Sequence, residues 1–261
     1  MRFDLSSIKF SKFDRKRNIV LPAKMSGPLA EDIGIMIGDG SLGFYKRGKT
    51  TDYTIRCTGG MIDEVPYYKS HISCLKKSLF NADFAYTETR RDNSCCLKIC
   101  SKGLMEFYNK IIGLPVGNKS AIGIPDGIFE NKTFIRNCIR GLGDTDFSLV
   151  FKFRDKDVPY YPVIKIDTCS KKLIEDISSA LIIIGFKPST SYDLTRRHNI
   201  TGKYFTTHAL ALYGKSNADR WAKMIGFSNP KNNIKYQFWK ENDFGPSQKQ
   251  ICVILNNAYK H

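Results

Sequence analysis

Acidic residues, histidine and long apolar runs are all scarce in this chain. The 261 residues hold 25 Asp+Glu against 41 Lys+Arg, a formal net charge of +16. Few soluble chains carry that imbalance without a polyanionic partner. Nucleic acid is the usual one, because each neutralised phosphate releases counterions. Only four histidines are present, none at a zinc spacing from the eight cysteines, and no two cysteines form a CxxC pair. A zinc centre is not expected. The cysteines are read as mostly buried small hydrophobes in a reducing, intracellular compartment. The longest apolar stretch, around Ile182–Ile184, is far too short to span a bilayer, so no membrane partner is expected. No apolar run follows the opening MRFDLSSIKFSKFDRKR, which argues against an ordinary signal peptide.

What is present is enough for a packed core. Hydrophobic residues make up 42% of the chain, with 17 Phe and 13 Tyr. That composition suits one large domain or two of ordinary size and argues against disorder.

The chain repeats itself. LAEDIGIMIGDGSL (29–42) and FIRNCIRGLGDTDFSL (134–149) are both glycine-punctuated helical segments ending in an acid. The acids, Asp39 and Asp146, stand 107 positions apart (146 − 39). Two strand-like runs follow each: SLGFYKR and DYTIRCT, then SLVFKFR and YYPVIKIDT. They alternate polar with apolar residues and are rich in aromatic and β-branched types. A helical run comes next, YYKSHISCLKKSLF or KKLIEDISSALIIIGF. Two further strands follow, DFAYTETRR with SCCLKIC, and KPSTSYDLTRR with YFTTHALALY. The second pair is joined by HNITG, which suits a hairpin turn. A last helix closes each half, and Gly113 and Gly226 are natural residues just past its end. Each half therefore reads α-β-β-α-β-β-α. The divisions are an extension (1–28), a first half (29–114), a linker (115–132), a second half (133–245) and a tail (246–261) with one more helical run.

The segments DIGIMIGDG (32–40) and IRGLGDTDF (139–147) resemble the two LAGLIDADG motifs of the single-chain homing endonucleases. Gly34 and Gly141 match the motif's third place, and Asp39 and Asp146 its eighth. Asp144 matches the sixth-place acid in the second copy, whereas Ile37 holds that place in the first; Asp144 is read as structural. The resemblance runs from about Leu29 to about Trp239. It implies an α+β fold: two pseudo-symmetric αββαββα repeats forming a saddle of two antiparallel four-stranded sheets, with the motif helices at the interface. Gly34 and Gly38 lie four apart on one helical face, where small residues let two helices approach closely.

The resemblance further implies metal-assisted phosphodiester hydrolysis on both strands of a long, non-palindromic duplex, leaving a staggered break. Asp39 and Asp146, helped by the carbonyls of Gly38 and Thr145, would bind Mg²⁺ or Mn²⁺, hard cations that prefer oxygen. Ca²⁺ is expected to bind without supporting cleavage. Family members often place Gln or Lys at the end of each half's second strand, but Gly59-Gly60 and Cys169-Ser170 fall there. A basic residue after the last helix of each half is expected to act beside the acids: Lys119 in the first half, and Lys235, preferred over Lys231, in the second. Phe147 replaces the motif's final glycine, which is Gly40 in the first copy, so the chain should turn there without a positive φ.

Paired antiparallel strands fit the major groove, where each base pair presents its own donor and acceptor pattern. The expected DNA contacts are Lys46, Arg47, Arg56, Arg90, Arg91 and Lys98 in the first half. In the second they are Lys152, Arg154, Lys165, Arg196, Arg197 and Lys203. The resemblance implies double-stranded DNA as the partner, bound by a monomer that acts as a pseudo-dimer. The alternatives are an intron RNA maturase of the same fold and a DNA-binding regulator that does not cut.

Overall fold

The computed structural model describes residues 2–48, 50–198 and 201–259. Asn199 and Ile200, the centre of the expected HNITG turn, lie outside the described residues.

The first half begins with α2 (Gly27–Gly38), preceded by a short helix, α1 (Lys12–Lys16). Ser26 caps α2: its hydroxyl accepts the Leu29 N–H at 3.3 Å, and Pro28 sits in the first turn, where its missing N–H costs nothing. Strands β1 (Gly40–Arg47) and β2 (Thr50–Gly60) follow. Then come a π-helical segment (Tyr67–Ile72) running into α3 (Ser73–Phe80), β3 (Ala85–Thr89), β4 (Ser94–Cys100) and α4 (Lys102–Glu106). The second half repeats the plan with α5 (Lys132–Thr145), β5 (Ser148–Lys152), β6 (Tyr161–Thr168), α6 (Lys171–Ile183), β7 (Ser189–Arg197), β8 (Tyr204–Tyr213) and α7 (Lys215–Met224). Each half contributes one antiparallel four-stranded sheet, ordered β1-β2-β4-β3 and β5-β6-β8-β7. This is the expected α+β architecture.

Alternation places the strands. Ile55, Cys57, Cys95, Leu97, Ile164, Ile166, Leu210 and Leu212 are buried on the helix-packed face, while the residues between them face the other way. α2 and α5 pack against each other, and one apolar core runs through both halves, from Ile33 and Met36 to Leu142, Phe147 and Trp221. Gly113 and Gly226 take φ of 86° and 78° at their helix ends, as their position requires.

Three features differ from the sequence reading. Residues after Asn229 form a helix, α8 (Pro230–Asn242), rather than a loop: Asn229 caps it and Pro230 opens it. The extension folds onto the first half. Asp14 is fully buried, its carboxylate accepting the N–H groups of Ser11 at 2.8 Å and Gly103 at 3.1 Å, and Phe3 meets Phe107 edge to face. All eight cysteines are unpaired, but only Cys57, Cys95 and Cys138 are buried, so the expectation of mostly buried thiols holds for those three alone. The tail forms α9 (Gln248–Ala258), capped by Ser247. No described helix is long and apolar enough to cross a membrane.

Candidate active site

The two motif helices meet at their glycines. A Cβ added at Gly34 would lie 2.8 Å from the Leu142 nitrogen, and one at Gly141 would lie 3.0 Å from the Ile35 nitrogen, both inside ordinary contact distance. Backbone therefore touches backbone across the interface. At the helix ends, Gly38 faces the Thr145 side chain, and a Cβ there would come within 3.3 Å of the Asp146 Cγ.

Asp39 and Asp146 are the last residues of their helices. Each keeps right-handed dihedrals (φ −80°, ψ −7° and φ −96°, ψ −22°) and donates its N–H back to Ile35 or Leu142. The next residues need no positive φ in either half. Gly40 is required for another reason: a Cβ there would lie 2.5 Å from the Met36 Cα. Phe147 turns inward against Trp221, ring centres 5.4 Å apart.

The acids share a strongly negative environment. Asp39 is raised to about 7, first by burial and then by the carboxylates of Glu64 and Asp146, against a hydrogen bond from Tyr68 and the charge of Lys119. Asp146 is the more open of the two and is raised as well, by desolvation in the cleft and by Glu64, against Lys119. Both stand at helix C-termini, where the exposed carbonyls already concentrate negative potential. Such a place attracts cations.

One cation is built in. The Lys119 Nζ donates to the carbonyls of Ile37, Gly38 and Gly40 at 2.7, 2.5 and 2.8 Å. Burial lowers its pKa, with Asp146 and Asp39 opposing. In the second half Lys231, rather than Lys235, is the lysine at the site's edge. Its Nζ donates to Glu64 at 2.6 Å and lies 3.6 Å from Asp63, an ion pair that bridges the halves. Burial alone would lower its pKa, but Glu64 and Asp63 raise it. Lys235 lies further along α8, beside Phe151, Gly245 and Gln248, with its pKa lowered by burial and by Lys231. The signal for Lys231 was in the sequence: Lys119 stands six residues after Gly113, Lys231 five after Gly226, and Lys235 nine.

No local pattern marks Glu64 and Tyr68, which follow β2: Tyr68 lies in the π-helical segment and Glu64 just before it. The Glu64 carboxylate accepts the Gly60 N–H at 2.6 Å, and the Tyr68 hydroxyl donates to Asp39 Oδ2 at 2.6 Å. In the second half Ser170 is spent elsewhere: it caps α6 and donates to the Ile122 carbonyl at 2.6 Å. Asp144 is fully buried. Its oxygens accept from the Ser228 N–H at 2.6 Å and the Asn232 amide at 3.3 Å, which fixes the start of α8.

Among the described residues, no group of three His, Cys, Asp or Glu side chains could hold a metal by itself. The oxygens that could hold a cation are the Asp39 and Asp146 carboxylates and the Thr145 carbonyl; the Gly38 carbonyl, expected to join them, is taken by the Lys119 ammonium at 2.5 Å, and like charge keeps a metal ion off the same oxygen. All are hard oxygens, and the negative environment favours a divalent cation that keeps some of its waters.

The predicted DNA contacts divide by sheet face. Arg56, Lys98, Lys152, Lys165 and Arg196 alternate with the buried residues and so share the open face. Ser41 pairs with Arg56, Arg56 with Lys98, and Ser148 with Lys165. Arg56 lies over Tyr45 at 5.8 Å and Arg154 over Tyr161 at 3.9 Å, and Arg196 pairs with Asp167 at 3.1 Å. Lys46 and Arg197 have the opposite parity at strand ends, and both sit in exposed parts of the chain. Arg90 and Arg91 are exposed in the turn between β3 and β4, and Lys203 is exposed just before β8. The side chain of Arg47 lies outside what the structure describes.

No protein-family model and no curated protein matches the chain. Solved structures do. The chain is similar to the homing endonuclease I-DmoI in complex with DNA and Mn, with TM-score 0.51 and 19% identity over 77% of this chain and 96% of that one. It is similar to the LAGLIDADG homing endonuclease I-GzeII in complex with its DNA target, with TM-score 0.53 and 11% identity over 90% and 98%. The chain has the single-chain LAGLIDADG homing endonuclease fold. A third structure, the meganuclease I-SmaMI bound to uncleaveable DNA, matches 88% of this chain and 98% of its own at TM-score 0.50 and 12% identity. At these identities the likeness establishes the fold alone.

Proposed function

We propose that this protein is a site-specific homing endonuclease that hydrolyses one phosphodiester in each strand of a long, non-palindromic DNA duplex, leaving a staggered break. One observation carries the reading. Two carboxylates, Asp39 and Asp146, end the two closely packed motif helices, between two sheets whose open faces carry arginine and lysine.

The sheets bind the duplex. Arg56, Lys98, Lys152, Lys165 and Arg196 contact base edges or phosphates along the open faces. Asp39 and Asp146, with the carbonyl of Thr145, would hold Mg²⁺ or Mn²⁺, while the Gly38 carbonyl stays with Lys119. When bound, such a cation supplies Lewis acidity for water attack and for departure of the 3′ oxygen. Lys119 neutralises the carbonyl ends of the first motif helix and keeps positive charge beside both acids. The two halves differ in sequence, so the site read is not a palindrome. The I-DmoI, I-GzeII and I-SmaMI complexes with DNA, obtained for proteins of the same fold, support the choice of duplex DNA.

The test is selection from a randomised duplex library, with Ca²⁺ for binding and Mg²⁺ for cleavage. Wild type should bind one long site and cut both strands. Asp39→Asn and Asp146→Asn should bind it and leave it whole. Tight binding with no cutting in Mg²⁺ or Mn²⁺ sinks the nuclease reading and leaves a DNA-binding regulator. Preferential binding of structured RNA leaves a maturase.

A further inference from the structure

The two acids are held differently. Tyr68 is buried, on the helical segment behind the first sheet, with its hydroxyl directed at Asp39 Oδ2. Its ring lies against the bare backbone of Gly59, at the end of β2. Gly59 has no side chain, and a Cβ there would lie 2.7 Å from both the Cζ and the hydroxyl oxygen of Tyr68. Any other residue at 59 would displace the ring. The neighbouring contacts fix the same segment: Glu64 takes the Gly60 N–H and the Lys231 ammonium, and Tyr67 packs edge to face on Tyr68 with ring centres 6.0 Å apart. Among the described residues, no side chain hydrogen-bonds the Asp146 carboxylate. At the matching strand end Cys169 is exposed and Ser170 is committed to capping α6.

Resting on the endonuclease reading above, we propose that Tyr68, admitted by Gly59, is a positioning residue for Asp39. Its hydroxyl holds one carboxylate oxygen in a fixed orientation and leaves the other turned to the cleft. Asp146 has no such hold, so the two strands of the target are cut at unequal rates. A carboxylate held by a hydrogen bond from behind loses less rotational freedom on taking up a cation than a free one. Groups behind a metal's own ligands typically contribute about 10- to 100-fold to metal affinity or activity.

The experiment uses the full chain and the duplex recovered from the selection. Tyr68→Phe removes only the hydroxyl and keeps the ring over Gly59. Gly59→Ala keeps the hydroxyl and displaces the ring. Mn²⁺ affinity of the DNA-bound protein is read by electron paramagnetic resonance, and nicking of each strand is followed separately in single turnover. Each variant should bind Mn²⁺ about 10-fold or more weakly, with DNA affinity in Ca²⁺ unchanged, and should slow one strand more than the other. The double variant should be no worse than either single one, because both remove the same contact. Wild-type Mn²⁺ affinity and strand rates in Tyr68→Phe overturn the proposal, as does an effect of Gly59→Ala that adds to that of Tyr68→Phe. If Tyr68→Phe fails to fold, Gly59→Ala with both strands slowed equally also overturns it. Asp39→Asn separates the two readings. If it cuts normally, the active-site assignment itself fails; if it is inactive while Tyr68→Phe is normal, only the role of Tyr68 fails.

Discussion

Gly141→Ala probes the contact on which the site is built. The added Cβ would lie 3.0 Å from the Ile35 nitrogen and closer still to the Glu31 carbonyl oxygen. Ordinary contact begins at 3.4 Å, so the helices must part by at least 0.4 Å at the nitrogen (3.4 − 3.0) and by more at the oxygen. Both obstacles are backbone and cannot rotate away. Two effects on stability oppose each other. Alanine favours a helix interior over glycine by about 1 kcal/mol. Overpacking a tight contact costs about 1–3 kcal/mol. The net cost is the overpacking cost less the propensity gain, about 0–2 kcal/mol, and two backbone obstacles place it at the upper end, about 2 kcal/mol; that lowers the melting midpoint of a chain this size by roughly 4–8 °C. Cleavage suffers more. Asp146 is five residues further along the same rigid helix (146 − 141), so the separation carries through to the acid pair. A misplacement of about 1 Å at a reacting group can cost about 100-fold in rate. Thermal unfolding and single-turnover cleavage on one preparation give both numbers. If Gly141→Ala melts and cuts like wild type, the close backbone approach does not set the acid pair.

Three further outcomes follow from the same geometry. Burial would raise Glu31, but hydrogen bonds and charges from His71 and Arg140 hold it at about 2. Its folded value lies below the ordinary 4.5, so its stabilisation is complete above pH 4.5 and is lost as pH falls from 4.5 to 2. That loss is of order 3 kcal/mol at about 1.4 kcal/mol per pH unit. Glu31→Gln should flatten the acid limb of a stability-against-pH curve, and an unchanged limb counts against this account. Lys119→Met strips a cation from three carbonyls and should slow cleavage about 10- to 100-fold while leaving binding in Ca²⁺ intact; an unaltered rate makes Lys119 a bystander. Where Lys165 or Arg196 meets a phosphate, its replacement by Ala should lower the slope of log affinity against log salt by about 1. Lys223→Ala, on the helix side, should leave the slope alone, and equal effects at all three positions would remove the sheets from the interface.

The plan of the molecule was legible because it is written twice. A 107-residue offset aligns the motif glycines and acids, and alternation in the strands assigns each residue to a face. α8 was not legible. Ile234, Tyr236, Phe238 and Trp239 are spaced by two and one, which marks no helical stripe, and only the Asn229-Pro230 cap betrays the helix. The site's outer contacts were hidden for a different reason. Tyr68 reaches Asp39 across 29 positions and Lys231 reaches Glu64 across 167, and nothing local in the chain records such meetings. What could have been read was the absence at Gly59, since a missing side chain at a strand end invites a neighbour to fill it.

Glu31 also makes the joining of the two halves directional. Its carboxylate, almost fully buried on the first motif helix, is shared between His71 of its own half and Arg140 and Ser228 of the other, at 2.8, 2.5 and 2.9 Å. By the 107-residue offset, Arg140 corresponds to Ile33 and Glu31 to Cys138. A homodimer of first halves would therefore set each Glu31 against an isoleucine and leave it only the His71 of its own half as a partner. A homodimer of second halves would leave each half-buried Arg140 without Glu31 to meet it. The Glu31 contacts to Arg140 and Ser228 thus favour pairing of unlike halves over either like pair. A chimaera that borrows one of them must carry the Glu31–Arg140 pair with it or replace both members at once.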